Sequence, residues 1–149
     1  MDAHDREEAL KSLDRGTIDR VFLPYLDRIN ACPLVASQQC CIGHMKYEGQ
    51  FTERPDNESE RWGYLQLLMN GELAEWLVEQ SSGWPWLWIP CSQLWVEGAL
   101  TPGMTDNGSV LLTFAWDAPH WPQPAEDICS AIERYWRDHQ CSQLAEDQE

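Results

Sequence analysis

Two adjacent cysteines, a glycine and a histidine lie close together in the segment Ser37–His44, which reads SQQCCIGH. Cys40 or Cys41 together with His44 could supply a thiolate and an imidazole, which are ligands that zinc prefers in proteins. A structural zinc site needs four ligands, and the other candidates are isolated along the chain: Cys32, Cys91, Cys129, His120 and His139. We therefore do not expect zinc or another metal at this segment.

The same segment could instead hold a nucleophile. Cys41 and His44 are close enough in sequence for the imidazole to act on the thiol, and Gly43 allows a tight turn that would expose both side chains. No third, orienting residue can be assigned from spacing alone. The alternative is that Cys40 and Cys41 point to opposite faces of an extended segment and pack as ordinary thiols. If the segment is a site, Cys41 and His44 are its candidate catalytic residues.

Tryptophans recur at every second position in Trp84, Trp86 and Trp88, which is the spacing of side chains on one face of a strand. No lysine or arginine occurs from Trp62 to Glu133, whereas carboxylates are frequent there. An exposed tryptophan row in this setting could stack on a sugar or hold a cationic ligand through cation–π contacts, and its members would be ligand-binding residues. The alternative, which we favour, is that the row packs under helices as part of the core.

The composition restricts the class of partner. The 149 residues include 25 Asp and Glu against 10 Lys and Arg, which leaves a formal net charge of −15 at pH 7. A field of that sign repels phosphate backbones, so we do not expect direct nucleic-acid binding and favour a protein partner with a basic surface. The N-terminal segment lacks the apolar run of a secretory signal, and no run is long enough to span a membrane. We expect a cytoplasmic protein whose six cysteines are reduced thiols.

The order of predicted elements indicates an α+β fold. Apolar residues at helical spacing predict helices over 18–31, 72–80 and about 125–140. Pro24 must kink or restart the first of these, because proline lacks an amide donor. Trp76 is placed on the inner side of the second helix, and Tyr135, Trp136 and His139 on the apolar side of the last. Apolar runs and alternation predict strands over 34–36, 63–69, 84–89, 92–96 and 110–116.

These elements predict a single α+β domain over residues 1–149. Strand pairs separated by single helices favour a mainly antiparallel sheet of about four strands with helices layered on one face. The polar ends and connections are expected to be a surface helix within 1–16, a mobile loop over 48–61 and a frayed acidic tail over 142–149.

The stretch YLDRINACPLVASQQCCIGHM, from the first amphipathic helix into the cysteine segment, resembles a known family. A helix that ends in Leu/Ile-Asn, a short strand and a Ser-Cys-x-Gly-His loop are similar to the wybutosine-synthesis (tRNA) methyltransferase-like family and related small uncharacterised proteins. The matching residues are Asn30, Ser37, Cys41, Gly43 and His44. Cys40 stands where those proteins carry serine, and His44 stands where the methyltransferases carry arginine.

The resemblance implies a site at this loop, and in the methyltransferases it implies S-adenosylmethionine as cofactor and tRNA as substrate. Cys41 and His44 would then be catalytic, and the ligand would be bound by Asn30, Ser37, Cys40 and Gly43.

Three functions follow from the sequence. The leading hypothesis is a binding or accessory protein that engages a protein partner or a small ligand near the Cys40–His44 loop. The second is an enzyme, either an S-adenosylmethionine-dependent, tRNA-type methyltransferase or a thiol-dependent enzyme. The third is an acidic nucleic-acid mimic of phage origin that occupies the basic groove of a nuclease.

Overall fold

The structure of the chain is a computed structural model that describes residues 3–11, 16, 18–46, 60–87, 103–104 and 109–147. Three sequence predictions fall largely outside these residues. They are the mobile loop over 48–61, of which only Glu60 and Arg61 are described, the strand over 92–96, and Trp88. The other predicted elements can be compared with the structure directly.

The described residues form four α-helices: α1 Ala3–Lys11, α2 Leu23–Asn30, α3 Gly71–Ser81 and α4 Gln123–Asp147. α1 lies on the surface and has no buried residue. A 3-10 helix at Arg20–Phe22 precedes α2, and Pro24 lies in the first turn of α2, where its missing amide donor is not needed. The proline therefore restarts the helix that the sequence predicts over 18–31.

α4 is longer than the sequence predicts. Ile128, Cys129 and Ile132 are buried against the core, and the backbone continues as a helix to Asp147. Residues 142–147 are helical, and Gln, Leu, Ala and Glu in this stretch are good helix formers. That the tail over 142–149 frays stays a prediction. None of the helices that the structure describes is long and apolar enough to cross a membrane.

The described strands form one antiparallel sheet: β1 Val35–Lys46, β2 Arg61–Met69, β3 Gly103–Met104 and β4 Val110–Asp117. Their spatial order is β1-β2-β4-β3, and each neighbouring pair is antiparallel. The α+β class and the mainly antiparallel sheet are therefore confirmed, although β3 contributes only two residues. β2 and β4 lie close to the strands predicted over 63–69 and 110–116.

The core lies between one face of the sheet and the helices. Along β2, Leu65, Leu67 and Met69 are fully buried, and the residues between them keep partial exposure, which is the period of two expected of a strand with one buried face. Buried helical and pre-helical residues join the same cluster, among them Phe22, Leu26, Ile29, Leu73, Leu77, Ile128 and Ile132. One continuous core therefore unites α2, α3 and α4 with β1, β2 and β4.

β1 is longer than predicted, and it contains the cysteine segment. The sequence predicts a short strand over 34–36 followed by a loop, but β1 has 12 residues. Its register with β2 shifts between Ser37 and Cys40 and again between Cys41 and Met45. Such irregularities bend a strand and redirect its side chains while pairing continues on either side. The prediction of a loop at Cys40–His44 is wrong; the segment is an irregular strand.

The strand predicted over 84–89 is a turn in its described part. The backbone amide of Leu87 donates to the carbonyl oxygen of Trp84 over 3.3 Å, and Leu87 forms a single bridge to Trp116. Pro85 lacks the donor that a strand ladder requires. The alternation of tryptophans therefore does not reflect a regular strand here.

Candidate functional site

The two adjacent cysteines point to opposite faces of β1. Cys40 is paired with Leu65, whose face carries the core, and Cys41 is paired with the half-buried Tyr64. Burial raises the pKa of the Cys40 thiol from 9.0 to about 12, and the charges of Cys41 and Asp19 act in the same direction. Cys40 is therefore a neutral thiol near pH 7 that packs against the core. This agrees with the alternative in which the two cysteines point to opposite faces of an extended segment.

Cys41 has a specific hydrogen-bond donor. The backbone amide of His44 donates to Cys41 Sγ over 3.2 Å, within the second register shift of β1. On the same face, burial raises the pKa of the Tyr64 hydroxyl, with further contributions from Cys41 and Cys40. Of the two adjacent thiols, Cys41 is thus the one that faces away from the core and accepts a backbone hydrogen bond.

His44 is oriented by a carboxylate that the sequence did not reveal. His44 Nε2 lies 3.3 Å from Asp19 Oδ1, and Asp19 Oδ2 accepts the backbone N–H of Ile42 over 3.5 Å. The His44 side chain is nevertheless 65% exposed. The imidazole is therefore held by Asp19, and it is the backbone of His44 that contacts Cys41. No spacing rule signals Asp19, because it precedes α2 and reaches β1 only through the tertiary fold.

The backbone of this part of β1 is tightly packed against neighbouring segments. Trp116 Nε1 donates to the carbonyl oxygen of Ile42 over 3.0 Å. A Cβ on Gly43 would lie 2.7 Å from the Cβ of Ala118, and a Cβ on Gly63 would lie 2.6 Å from two backbone oxygens of β1. Both glycines are thus required for close approach of chain segments, and Gly43 does not form the exposed tight turn that the sequence predicts.

Groups that can carry positive charge gather at the end of β1. Lys46 is directly opposite Arg61 in the β1–β2 register, and both residues are exposed. Arg61 Nη1 donates to the carbonyl oxygen of His44 over 3.2 Å. Like charges directly opposite each other on antiparallel strands repel. We call His44, Lys46 and Arg61 the basic strand end.

Asn30 and Ser37, which the resemblance implies bind a ligand, bind each other. Asn30 Oδ1 accepts the backbone N–H of Ser37 over 2.9 Å, and Asn30 Nδ2 donates to Ser37 Oγ over 2.8 Å. Ser37 is fully buried. The Arg6 side chain donates to the carbonyl oxygens of Asn30 and Val35 and so attaches α1 to the same junction. In this structure the pair joins the end of α2 to β1.

Trp84 and Trp86 pack against the core. Their rings stack with centroids 5.3 Å apart and an interplanar angle of 16°. Trp86 is 3% exposed, and its Nε1 donates to Asp127 Oδ2 on α4 over 2.6 Å. The core interpretation of the tryptophan row therefore describes these two residues, which do not present an open face to a ligand.

The described residues contain no group of three His, Cys, Asp or Glu side chains placed to hold a metal ion. Around the cysteine segment, the Cys40 thiol is packed against the core and the His44 imidazole is engaged by Asp19. The chemistry available at this segment is therefore that of a thiol, an exposed imidazole and nearby cations.

A concave surface that is separate from the cysteine segment lies at the junction of α3 and α4. A cavity of about 280 Å³ is lined by Trp76, Tyr135, Asp138, His139 and Ser142. Four of these residues have the i, i+3, i+4, i+7 spacing of one helical face. The sequence places the aromatic members on inner faces, whereas Trp76, Tyr135 and His139 are each partly exposed. The sequence signal for this surface was the helical spacing of Tyr135 and His139 on α4, with Asp138 next to His139. We call this surface the α3–α4 cavity.

Comparisons with known proteins add a distant structural likeness. No protein-family model matches the chain, and no curated protein matches it. Among solved structures, the chain is similar to the structure of PH1069 protein from Pyrococcus horikoshii, with a TM-score of 0.44 and 13% sequence identity. The likeness covers 90% of this chain and 88% of that chain.

Proposed function

We propose that the protein acts by binding, and that the basic strand end holds the anionic group of a small ligand. The main support is the direct opposition of Lys46 and Arg61, with the exposed His44 two residues before Lys46 along β1. Both side chains are exposed, so an anion can approach the two cations together. In a chain of net charge −15, such a concentration of cationic groups favours a specific anionic ligand.

Preorganisation of the site supports the same proposal. Asp19 orients the imidazole of His44, and Trp116 anchors the carbonyl of Ile42. A ligand that meets groups already held in place loses less binding free energy to ordering them. The backbone of β1 beside the basic strand end is therefore held in place before a ligand binds.

Calorimetric titration of the full chain with inorganic phosphate and with adenosine monophosphate tests this proposal. We expect saturable binding that is weakened about tenfold in Arg61→Gln, because one charge-assisted hydrogen-bond donor is lost. Lys11→Gln is the matched control, since Lys11 is an exposed α1 cation whose ion pair is with Glu7. Absence of saturable binding, or equal weakening by both substitutions, would contradict the proposal.

A second candidate function is an enzyme centred on Cys41 and His44, as the family resemblance implies. The donation from the His44 amide to Cys41 Sγ and the contact of the His44 imidazole with Asp19 favour it, because the tertiary fold brings a carboxylate to the segment that carries the thiol and the imidazole. S-adenosylmethionine carries a carboxylate that the basic strand end could hold. The methyltransferase-like and the thiol-dependent alternatives both place chemistry at this segment.

Calorimetry with S-adenosylmethionine separates these alternatives from simple anion binding. A methyltransferase-like protein binds S-adenosylmethionine much more tightly than adenosine monophosphate, whereas an anion site prefers the nucleotide, because its phosphate is a dianion and the sulfonium and ammonium groups of S-adenosylmethionine leave that compound a net cation. A thiol-dependent enzyme loses its activity in Cys41→Ala. Equal affinity for the two adenosine compounds would remove the methyltransferase alternative.

We also propose a cytoplasmic location. The five cysteines that the structure describes are all free thiols, which is the state maintained in a reducing compartment. Fractionation of cells that express the tagged chain tests this assignment.

A further inference from the structure

The α3–α4 cavity is walled by aromatic rings. The centroids of Trp76 and Tyr135 lie 5.2 Å apart, and the ring of His139 is stacked on that of Tyr135 with an interplanar angle of 13°. The ring of His139 also stacks on that of Trp136, with centroids 5.5 Å apart. Aromatic faces attract cations through the negative potential above the ring. The walls of the cavity therefore favour a planar or cationic group.

Negative charge surrounds these rings. Asp138 lines the cavity itself. The exposed residues Glu72, Glu75 and Glu79 follow one face of α3, a helix without any lysine or arginine. Burial raises the pKa of Tyr135, and the charge of Glu72 is the next contribution, which shows that this carboxylate is close enough to act on the cavity wall.

The nearby cation Arg134 shows how a guanidinium fits this environment. Its Cζ lies 5.3 Å from the centroid of the Trp76 ring, and its Nη2 donates to Gln80 Oε1 over 2.9 Å. A planar guanidinium stacks on aromatic rings and donates to carboxylates in a way that an ammonium does not. The chain therefore already uses one tryptophan of the cavity in an arginine contact.

The cavity has room for one long side chain. At about 280 Å³ it lies just below the range of roughly 300–1,000 Å³ of pockets for drug-sized ligands. We propose that the α3–α4 cavity receives an arginine side chain from a basic segment of a partner protein. The guanidinium stacks against Tyr135 and donates to Asp138, while the α3 glutamates attract the flanking positive charges of that segment.

Titration of the full chain with matched peptides tests the proposal. An acetylated, amidated hexa-arginine peptide and its hexa-lysine counterpart carry the same charge, so diffuse electrostatics treats them alike. We expect the arginine peptide to bind about fivefold more tightly, the advantage corresponding to one exposed cation–π contact. Asp138→Asn is expected to weaken arginine-peptide binding about tenfold, because a charge-assisted hydrogen bond is lost.

Two control variants, Glu7→Gln and Tyr135→Phe, show whether the effects are specific to the cavity. Glu7→Gln on α1 removes one exposed carboxylate outside the cavity and is expected to change the affinity less than twofold. Tyr135→Leu removes a ring while Tyr135→Phe preserves it, so only the former is expected to abolish the preference for arginine over lysine. Equal affinities for the two peptides, no binding of either, or equal effects of Asp138→Asn and Glu7→Gln would each overturn the proposal.

Discussion

The end of β1 and the α3–α4 cavity differ in both charge and construction. Around Cys41 and His44, the main contacts involve the backbone. The His44 amide donates to Cys41 Sγ, and the Trp116 indole donates to the Ile42 carbonyl oxygen. Gly43 and Gly63 lie where chain segments approach closely. In the cavity, the contacts are between side-chain rings on two helices. The first region carries cationic groups, and the second is bordered by carboxylates.

Because of this difference, substitutions near the end of β1 are expected to change stability, and substitutions in the α3–α4 cavity are expected to change binding. A backbone contact in β1 cannot be removed without disturbing the sheet, so most substitutions near Cys41 are expected to destabilise the fold. A partly exposed ring or carboxylate in the cavity can be changed at smaller cost to stability. The two regions can therefore be tested independently.

The largest expected effect is that of Gly63→Ala. The new Cβ would lie 2.6 Å from two carbonyl oxygens of β1 and from Trp116 Nε1, and we expect the free energy of unfolding to fall by about 3 kcal/mol. Urea denaturation measures the change. Gly71→Ala is the matched control, because nothing lies within 4 Å of its added Cβ, and it is expected to change stability by less than about 1 kcal/mol. Equal losses would show that β1 is not closely packed.

A smaller loss is expected from Asn30→Ala. The buried backbone N–H of Ser37 would lose its acceptor, which costs about 2 kcal/mol. Asn30→Asp keeps an oxygen for that N–H and can accept the Ser37 hydroxyl, so it is expected to restore part of the loss. Thermal and urea unfolding of the two variants would contradict a structural role for Asn30 if both were as stable as the unsubstituted chain.

The smallest of these effects concerns pH. The Cys40 thiol has a folded pKa of about 12 against an ordinary value of 9.0, so its contribution to stability is complete below about pH 9 and is lost as pH rises toward 12. Partial exposure screens the effect, and we expect a slope well below the one-proton limit of about 1.4 kcal/mol per pH unit. Cys40→Ala should flatten the dependence of unfolding free energy on pH between 9 and 11. Identical slopes would show that Cys40 is not buried against the core.

Local sequence signals predicted much of the fold. The apolar segments 63–69 and 110–116 become β2 and β4, and Pro24 begins a helix where its missing donor is tolerated. The length of β1 was missed because its two register shifts interrupt the alternation of apolar residues. The turn at Trp84–Trp86 was missed because alternation alone does not reveal that Trp86 is buried and bound to Asp127.

The site was only partly predictable for a similar reason. Cys41 and His44 share a segment, so their spacing was informative. Asp19, Trp116 and Ala118 reach that segment through tertiary contacts that no short spacing encodes. In the α3–α4 cavity, helical spacing on α4 identified an apolar face, but its partial exposure depends on how α3 packs beside it.

The most direct test of two sites with opposite charge preference is a pair of ¹H–¹⁵N correlation spectra of the full chain, one titrated with adenosine monophosphate and one with the hexa-arginine peptide. The nucleotide is expected to shift the amides of Ile42, His44 and Lys46. The peptide is expected to shift those of Tyr135, Asp138 and His139 together with the Trp76 indole. Shifts at one common set of residues for both probes, or at neither set, would contradict the account.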